Sequence, residues 1–221
     1  MLPPQYPVNL IVEGRPCLVV GGGAVAAQKA AALLACGAEV HVVGEQIGPE
    51  VRALQVTWEE RSYALGEVSD YRLVIAATGS PSTNKAVYDD GEAAGVWVNS
   101  ADDPANCSFT LPAVVRRGPV MVAVSTGGRS PALASWLKER LAAEVGPEYE
   151  VLADLLAAER EAVRADGRST EGLNRQKALD SDMLELIKYG RVADAKERLQ
   201  ACLSSSLDWT TAPSRSSCSS E

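Results

Sequence analysis

The chain has 221 residues, 46% of them hydrophobic and 23% charged, with a formal net charge of −8. That is length enough for a substantial core and the balance of a folded domain, which excludes a small disulfide-stapled scaffold. The negative balance argues against nucleic acid and anionic membranes as partners, no uncharged apolar run reaches 18 residues, and a single histidine excludes a zinc site built from several.

Met1 to Arg15 has neither a basic start nor a long apolar run, so no secretory leader is expected. Five cysteines without CxxC spacing read as free thiols of a cytoplasmic protein. Val8–Val12 and Pro16–Val20 read as a strand pair, or as one strand interrupted at Glu13–Arg15. A glycine triplet follows, then a helix over Val25–Ala35 stopped by Gly37. Glu39–Val43 alternates as a strand, and Leu73–Ala77 is a continuous apolar run of the kind buried on both faces. Asn84–Ala94 reads as a helix ended by Gly95, and Val96–Val98 as another strand. Strands and helices alternating at this spacing predict an α/β fold with a parallel, doubly wound sheet.

Past Phe109 the pattern changes. Val120–Val124 is a strong strand, and Ser130 before Pro131 marks the start of a helix carrying Leu133, Leu137 and Leu141. From Glu148 to Leu203 the chain reads as helical, with breaks near Asp166–Gly167 and Tyr189–Gly190. Ser204–Glu221 is serine-rich with little to bury, and reads as a disordered tail.

Gly21, Gly23 and Ala26 fit a G-x-G-x-x-[GA] turn between an apolar strand and an alanine-rich helix. The first glycine permits the sharp turn, the second lets the backbone approach a diphosphate, and the small third residue lets helix and strand pack closely. Amides at the helix start then face the anion, so Gly21, Gly22 and Gly23 are expected to hold a dinucleotide. Such sites use an acid near the end of the second strand for the adenosine ribose. Glu45 either fills that role or is a solvated loop acid. No arginine lies between Glu39 and Val51 to meet a 2′-phosphate, which favours NAD over NADP. Thr78 follows a buried strand, at the position where open α/β sheets bind ligands. Spacing alone reads Asp102–Asp103–Pro104 as a turn. From Thr110 to Ala143 five cations, Arg116, Arg117, Arg129, Lys138 and Arg140, face one acid, Glu139. A cationic segment in an acidic chain suits a small polyanion, or is a solvated face or subunit interface. Thr126–Gly127–Gly128 forms a turn whose amides suit an anion.

Taken in order, Gly21-Gly22-Gly23-x-Val25-Ala26-x-x-Lys29, Ala76-Ala77-Thr78, Val98-Asn99-x-x-Asp102-Asp103-Pro104, Ser108-Phe109 and Ser125-Thr126-Gly127-Gly128-Arg129-Ser130-Pro131 form a set. The set resembles the precorrin-2 dehydrogenase/sirohydrochlorin ferrochelatase family, the first module of bifunctional siroheme synthases. The resemblance covers Val8 to Leu203. It implies a Rossmann-like NAD-binding domain over residues 1–108, a dimerisation segment over 109–146 and a helical C-terminal domain over 147–203. It implies oxidation of precorrin-2 to sirohydrochlorin by a homodimer, and in some members insertion of ferrous iron by the same site. Ferrous or cobalt ion is then a substrate, and no resident metal is expected. The family's functional aspartate falls on Asp102, which changes the reading of that residue from turn to acid/base. Cofactor contacts carry over to Ala24, Val25, Glu45 and Gln46.

Two departures stand out. Thr126 replaces a common serine, and Gly79–Ser80 stand where members often carry acids, which weakens the expectation of metal insertion. Two other readings remain open at this level: a non-catalytic NAD- or tetrapyrrole-binding module, and a chelatase without dehydrogenase activity.

Overall fold

The computed structural model describes residues 4–167, 179 and 181–204. Five strands, β1 (Pro16–Val20), β2 (Glu39–Gly44), β3 (Thr57–Glu60), β4 (Leu73–Ala76) and β5 (Trp97–Ser100), form a sheet in the order β3-β2-β1-β4-β5. All four pairings are parallel, as the alternation of elements predicts. Helices α1 (Ala24–Leu34), α2 (Pro49–Arg52) and α3 (Pro81–Ala94) connect the strands.

Side chains of a strand alternate between faces, and here that period of two builds two cores. Cys17 and Val19 of β1 join Val40, Val42, Leu73 and Ile75 on the face covered by Ala26, Ala27, Ala30 and Leu33 of α1. Leu18 and Val20 join Val43, Val74, Ala76 and Val98 on the other face, against Val87 of α3. Burying each Val or Leu fully stabilises the fold by about 1.5–3 kcal/mol, so the sheet centre carries most of this unit's stability. Burial also pushes the Cys17 thiol up to about 11, so it stays protonated inside the core at neutral pH.

The expected strand at Val8–Val12 does not form. Both hydrogen-bonding edges of β1 are already taken, by β2 and β4, so the segment has no free edge beside it. Only Val12 is buried there, and Ile11 is 87% exposed. Conversely, β3 carries no apolar alternation and all four of its residues are exposed. It is an edge strand whose charged side chains discourage further pairing. Arg52 stacks over Trp58 at 4.4 Å. Helix α3 starts earlier than expected because Ser80 caps it, its hydroxyl accepting from the Thr83 amide at 3.3 Å.

Contacts divide the chain into two compact units, the first taking the chain up to Pro112 with Ser125–Pro131, the second Ala113–Val124 with the chain from Ala132 on. The second unit contains an antiparallel hairpin of β6 (Ala113–Arg117) and β7 (Val120–Val124). It also contains α4 (Pro131–Glu144), α5 (Glu148–Ala165), α6 (Met183–Lys188) and α7 (Val192–Ser204). Helices α5, α6 and α7 share a core of Leu152, Met183, Ile187, Ala195, Leu199 and Cys202. Among the described residues, the chain from Glu148 on follows the helical expectation, with α5 and α6 ending beside the two foreseen breaks. Residues 168–178 and the expected serine-rich tail beyond Ser204 lie outside the described residues.

Gly91 tests the close packing of α3 on the sheet. By helix propensity alone, Gly→Ala in a helix interior gains about 1 kcal/mol. At Gly91, however, a Cβ would overlap Val98 Cγ2 and lie 3.1 Å from the Val96 carbonyl oxygen. Overpacking of this kind costs about 1–3 kcal/mol and should dominate. Gly91→Ala is therefore expected to lower the midpoint of denaturant unfolding; an unchanged or raised midpoint would show that the contact is not tight.

Candidate active site

Open parallel sheets bind ligands beyond the carboxyl ends of their strands, where the strand order reverses. Here the reversal falls between β1 and β4. Four loops leaving that edge are tied to each other through the backbone. The Gly21 amide donates to the Val43 carbonyl at 2.7 Å, and the Gly48 amide donates to the Gly22 carbonyl at 2.8 Å. The Ala77 amide donates to Val20 at 2.7 Å, and the Ala101 amide to Ala76 at 2.8 Å. The loops after β1, β2, β4 and β5 thus leave one sheet edge side by side, carrying Gly21–Val25, Glu45, Gln46, Thr78 and Asp102.

Within the glycine turn the three residues have separate reasons. Gly21 has φ +128°, and a Cβ there would overlap the Ala77 carbonyl oxygen. A Cβ on Gly22 would overlap the Gln46 carbonyl oxygen. Both glycines are required by the fold itself. At Gly23 a Cβ would meet nothing within 4 Å. The protein's own packing therefore does not demand a glycine at Gly23, whereas a ligand lying against the backbone does. Gly23, Ala24 and Val25 are exposed, and Ala26 behind them is fully buried, as a close helix–strand contact requires. These residues fit a dinucleotide.

Glu45 lies just past the end of β2, exposed, and accepts a hydrogen bond from the Ser62 hydroxyl at 3.0 Å. The fold also brings Arg61 beside it, its amide donating to the Gly44 carbonyl at 3.0 Å. Nothing in the spacing foretold this arginine, because it arrives from β3. Its guanidinium is already taken, by Glu67 at 2.7 Å and Glu59 at 2.6 Å. The hydrogen bonds to Glu67 and then Glu59 hold Arg61 even more firmly protonated than usual, and the same contact with Arg61 lowers Glu59.

Beyond β4, Thr78 is held by a residue that sequence reasoning missed. Asn84 is 5% exposed and spends its whole amide on this loop. Its Oδ1 accepts from the Thr78 hydroxyl at 2.6 Å and the Thr78 amide at 3.3 Å, while its Nδ2 donates to the Thr78 carbonyl at 3.2 Å. The burial that makes Asn84 a loop holder comes from the fold, and no spacing in the sequence signals it.

The acids after β5 are distinguished by their partners. Asp103 accepts from Asn106 Nδ2 at 2.6 Å. Asp102 is exposed and its carboxylate has no hydrogen-bond partner among the described residues. Asp102 also has φ +59°, the one non-glycine residue with positive φ among the described residues. It occupies the third position of a turn closed by the Asp103 amide donating to the Ser100 carbonyl at 3.3 Å. The turn read from the spacing is thus present, and it leaves the Asp102 carboxylate exposed.

The basic and anion-turn residues are placed as follows. In the segment Ser125–Pro131 the Thr126 hydroxyl donates to the Ser130 carbonyl and accepts from the Ser130 amide, both at 3.1 Å. The Arg129 amide donates to the Thr126 carbonyl at 3.2 Å, and Gly127 has φ +59°. Arg116 and Arg117 lie on β6 of the second unit. Arg117 donates to the Ala142 carbonyl at 3.1 Å, and Arg116 is exposed beside Met121. Among the described residues no helix is long and apolar enough to cross a membrane.

Comparison with known proteins agrees with this layout. Residues 8–113 match the family model described as "Putative NAD(P)-binding", and residues 117–144 match that of the sirohaem biosynthesis protein central domain. Siroheme synthase of Nitrosococcus oceani is 38% identical over 206 residues, covering 90% of this chain and 44% of its own. That of Nitrosomonas eutropha is 37% identical over 212 residues, covering 92% and 44%. The chain thus spans under half the length of these relatives. Among solved structures, SirC, precorrin-2 dehydrogenase, superposes with a TM-score of 0.66 at 25% identity, covering 90% of this chain and 98% of that one. By motif order, sequence match and fold together, the chain belongs with the sirohaem biosynthesis proteins that join an NAD(P)-binding module to the sirohaem central module.

Proposed function

We propose that the chain is an NAD-dependent dehydrogenase that oxidises precorrin-2 to sirohydrochlorin. One observation carries this reading: a glycine turn with open space at Gly23 shares a sheet edge with the unpartnered carboxylate of Asp102. The matched SirC is a precorrin-2 dehydrogenase, and the matched siroheme synthases share the same two modules in sequence, which supports the choice of substrate.

NAD supplies the hydride acceptor, which no side chain of the protein provides. The chain's residues bind, orient and move the proton. Gly21, Gly22 and Gly23, with the first amides of α1 at Ala24 and Val25, take the diphosphate. Glu45, steadied by Ser62, accepts from the adenosine ribose hydroxyls, with Gln46 bordering the same loop. Arg61 stays paired to Glu59 and Glu67, leaving no free guanidinium there for a 2′-phosphate, which favours NAD over NADP. Thr78, fixed by Asn84, lines the cofactor cleft. Oxidation removes a hydride and a proton from the macrocycle, and the Asp102 carboxylate accepts the proton. In the first unit, Arg129 and the Thr126–Gly127 turn pair with the macrocycle's peripheral carboxylates; Arg116 and Arg117 are cations of the second unit suited to the same chemistry. In this reading residues 109–146 also join two copies into a dimer, with Trp136 and Leu133 as exposed apolar groups of α4.

Purified protein given precorrin-2 and NAD should produce NADH, and none appearing with authentic substrate would reject the reading. Asp102→Asn keeps the turn, since asparagine tolerates the left-handed conformation. It should slow turnover about a hundredfold or more, the usual scale for a lost acid/base group. Full activity in that variant would remove Asp102 from its role. Glu45→Gln should weaken NADH binding about tenfold, the scale of a lost hydrogen bond to a charged group, with NADPH binding unweakened. Equal weakening of both would show that Glu45 does not read the ribose.

A further inference from the structure

The turn that presents Asp102 is costly as it stands. A left-handed conformation costs a non-glycine residue about 1–2 kcal/mol, and asparagine and aspartate pay least. Asp102 is exposed, so packing of its own side chain does not hold it there. Some other group must keep the turn closed.

Beside the Asp103–Ser100 backbone bond and the Asn106 contact with Asp103, Cys107 is the side chain that reaches both ends of the turn. The β5 strand enters the loop at Ser100, and the loop returns to β5 through a bridge between Asn99 and Cys107. The Cys107 Sγ lies inside the turn. It accepts from the Ser100 amide at 3.3 Å and from Asn99 Nδ2 at 3.5 Å. Its S–H faces two carbonyls, Asp103 at 3.3 Å and Ser100 at 3.4 Å. One sulfur thus grips both ends of the four-residue turn whose third member is Asp102. The return strand is secured separately, by the Ser108 hydroxyl accepting from the Val98 amide at 2.8 Å. Asn99 Nδ2 also donates to the Phe109 carbonyl at 2.9 Å. Cys107 is therefore not needed to keep the loop attached to the sheet; its contacts act on the tip.

The adjoining Ser100 hydroxyl points to the same conclusion. It is buried, on a residue 3% exposed, and has no hydrogen-bond partner among the described residues. The side chain of Ser100 therefore makes no bond across the turn, whereas its amide and carbonyl both meet the Cys107 sulfur, the carbonyl accepting from the Asp103 amide as well. Burial chiefly, with the charge of Asp103, pushes the Cys107 thiol up, so the sulfur keeps the proton it donates.

We propose that Cys107 is a positioning residue of the dehydrogenase reaction: its thiol holds the Ser100–Asp103 turn in the form that aims the Asp102 carboxylate. This rests on the role assigned to Asp102 above. The thiol does not touch substrate and forms no covalent bond.

Cys107→Ala and Cys107→Ser test it, assayed with precorrin-2 and NAD beside the unaltered protein. Loss of aim should lower kcat in Cys107→Ala by about tenfold to a hundredfold, the scale on which a displacement of about 1 Å acts. The KM for NAD and the NADH dissociation constant should stay within about twofold, because the glycine turn sits on another strand. Cys107→Ser, whose hydroxyl donates to the same carbonyls, should recover part of kcat. In Asp102→Asn/Cys107→Ala the two losses should not multiply, since both act on one group. Unchanged kcat in Cys107→Ala, fully multiplying losses, or an equal loss of NADH affinity in both cysteine variants would overturn the proposal. Absence of NADH formation by the unaltered protein would instead overturn the assigned reaction, which separates the two failures.

Discussion

The backbone of Gly21 and Gly22 lies flush against two neighbouring loops, and the whole site depends on that approach. A side chain at either residue would overlap a carbonyl oxygen, of Ala77 or of Gln46. The approach is possible because β1 occupies the sheet centre, its Cys17, Leu18, Val19 and Val20 fully or almost fully buried. Two packed cores, one on each face, fix that strand in place. The turn at its end is then positioned by the buried centre of the first unit; the loops after β2 and β4 follow from their pairing with β1, and the loop after β5 from its pairing with β4. A rigid scaffold ending in close-set loops is the arrangement that gives a bound cofactor a single orientation.

Around this frame the polar groups fall into those that hold loops and those left available. Asn84, Ser62, Cys107 and Ser108 spend their hydrogen bonds on the backbone or on other side chains of the loops. Asp103 is likewise engaged, by Asn106. Asp102 is left with its carboxylate exposed and a left-handed backbone, a combination that costs stability and serves no packing purpose. Strain of this kind persists where neighbours over-determine the conformation, and it gathers at functional positions.

Much of this was legible in the residues. The continuous apolar run Leu73–Ala77 marked a strand covered on both faces, which leaves no polar alternation, and Pro16–Val20 reads as a strand ahead of the glycine turn. The glycine triplet and the order of motifs pointed to the sheet edge proposed as the site. What stayed hidden was long-range. The edge strand β3 has only exposed residues, so nothing in its composition announced it, and with it came Arg61 and Ser62 beside Glu45. Val8–Val12 looked like a strand because its side chains are apolar, yet a strand needs a free edge and β1 had none. The roles of Asn84 and Cys107 depend on which backbone groups the fold leaves unpaired, and spacing does not encode that.

The central claim is that the β1–α1 turn takes a dinucleotide against the bare backbone of Gly23. Calorimetric titration of NADH into the folded protein and into Gly23→Ala tests it directly. A Cβ at Gly23 meets nothing in the protein, so the variant should unfold at the same midpoint as the parent. The account predicts saturable heat at one site per chain in the parent, and affinity weakened at least about tenfold in the variant, where the methyl occupies the space of the diphosphate. No heat in the parent, or equal affinity in a variant of unchanged stability, would contradict it.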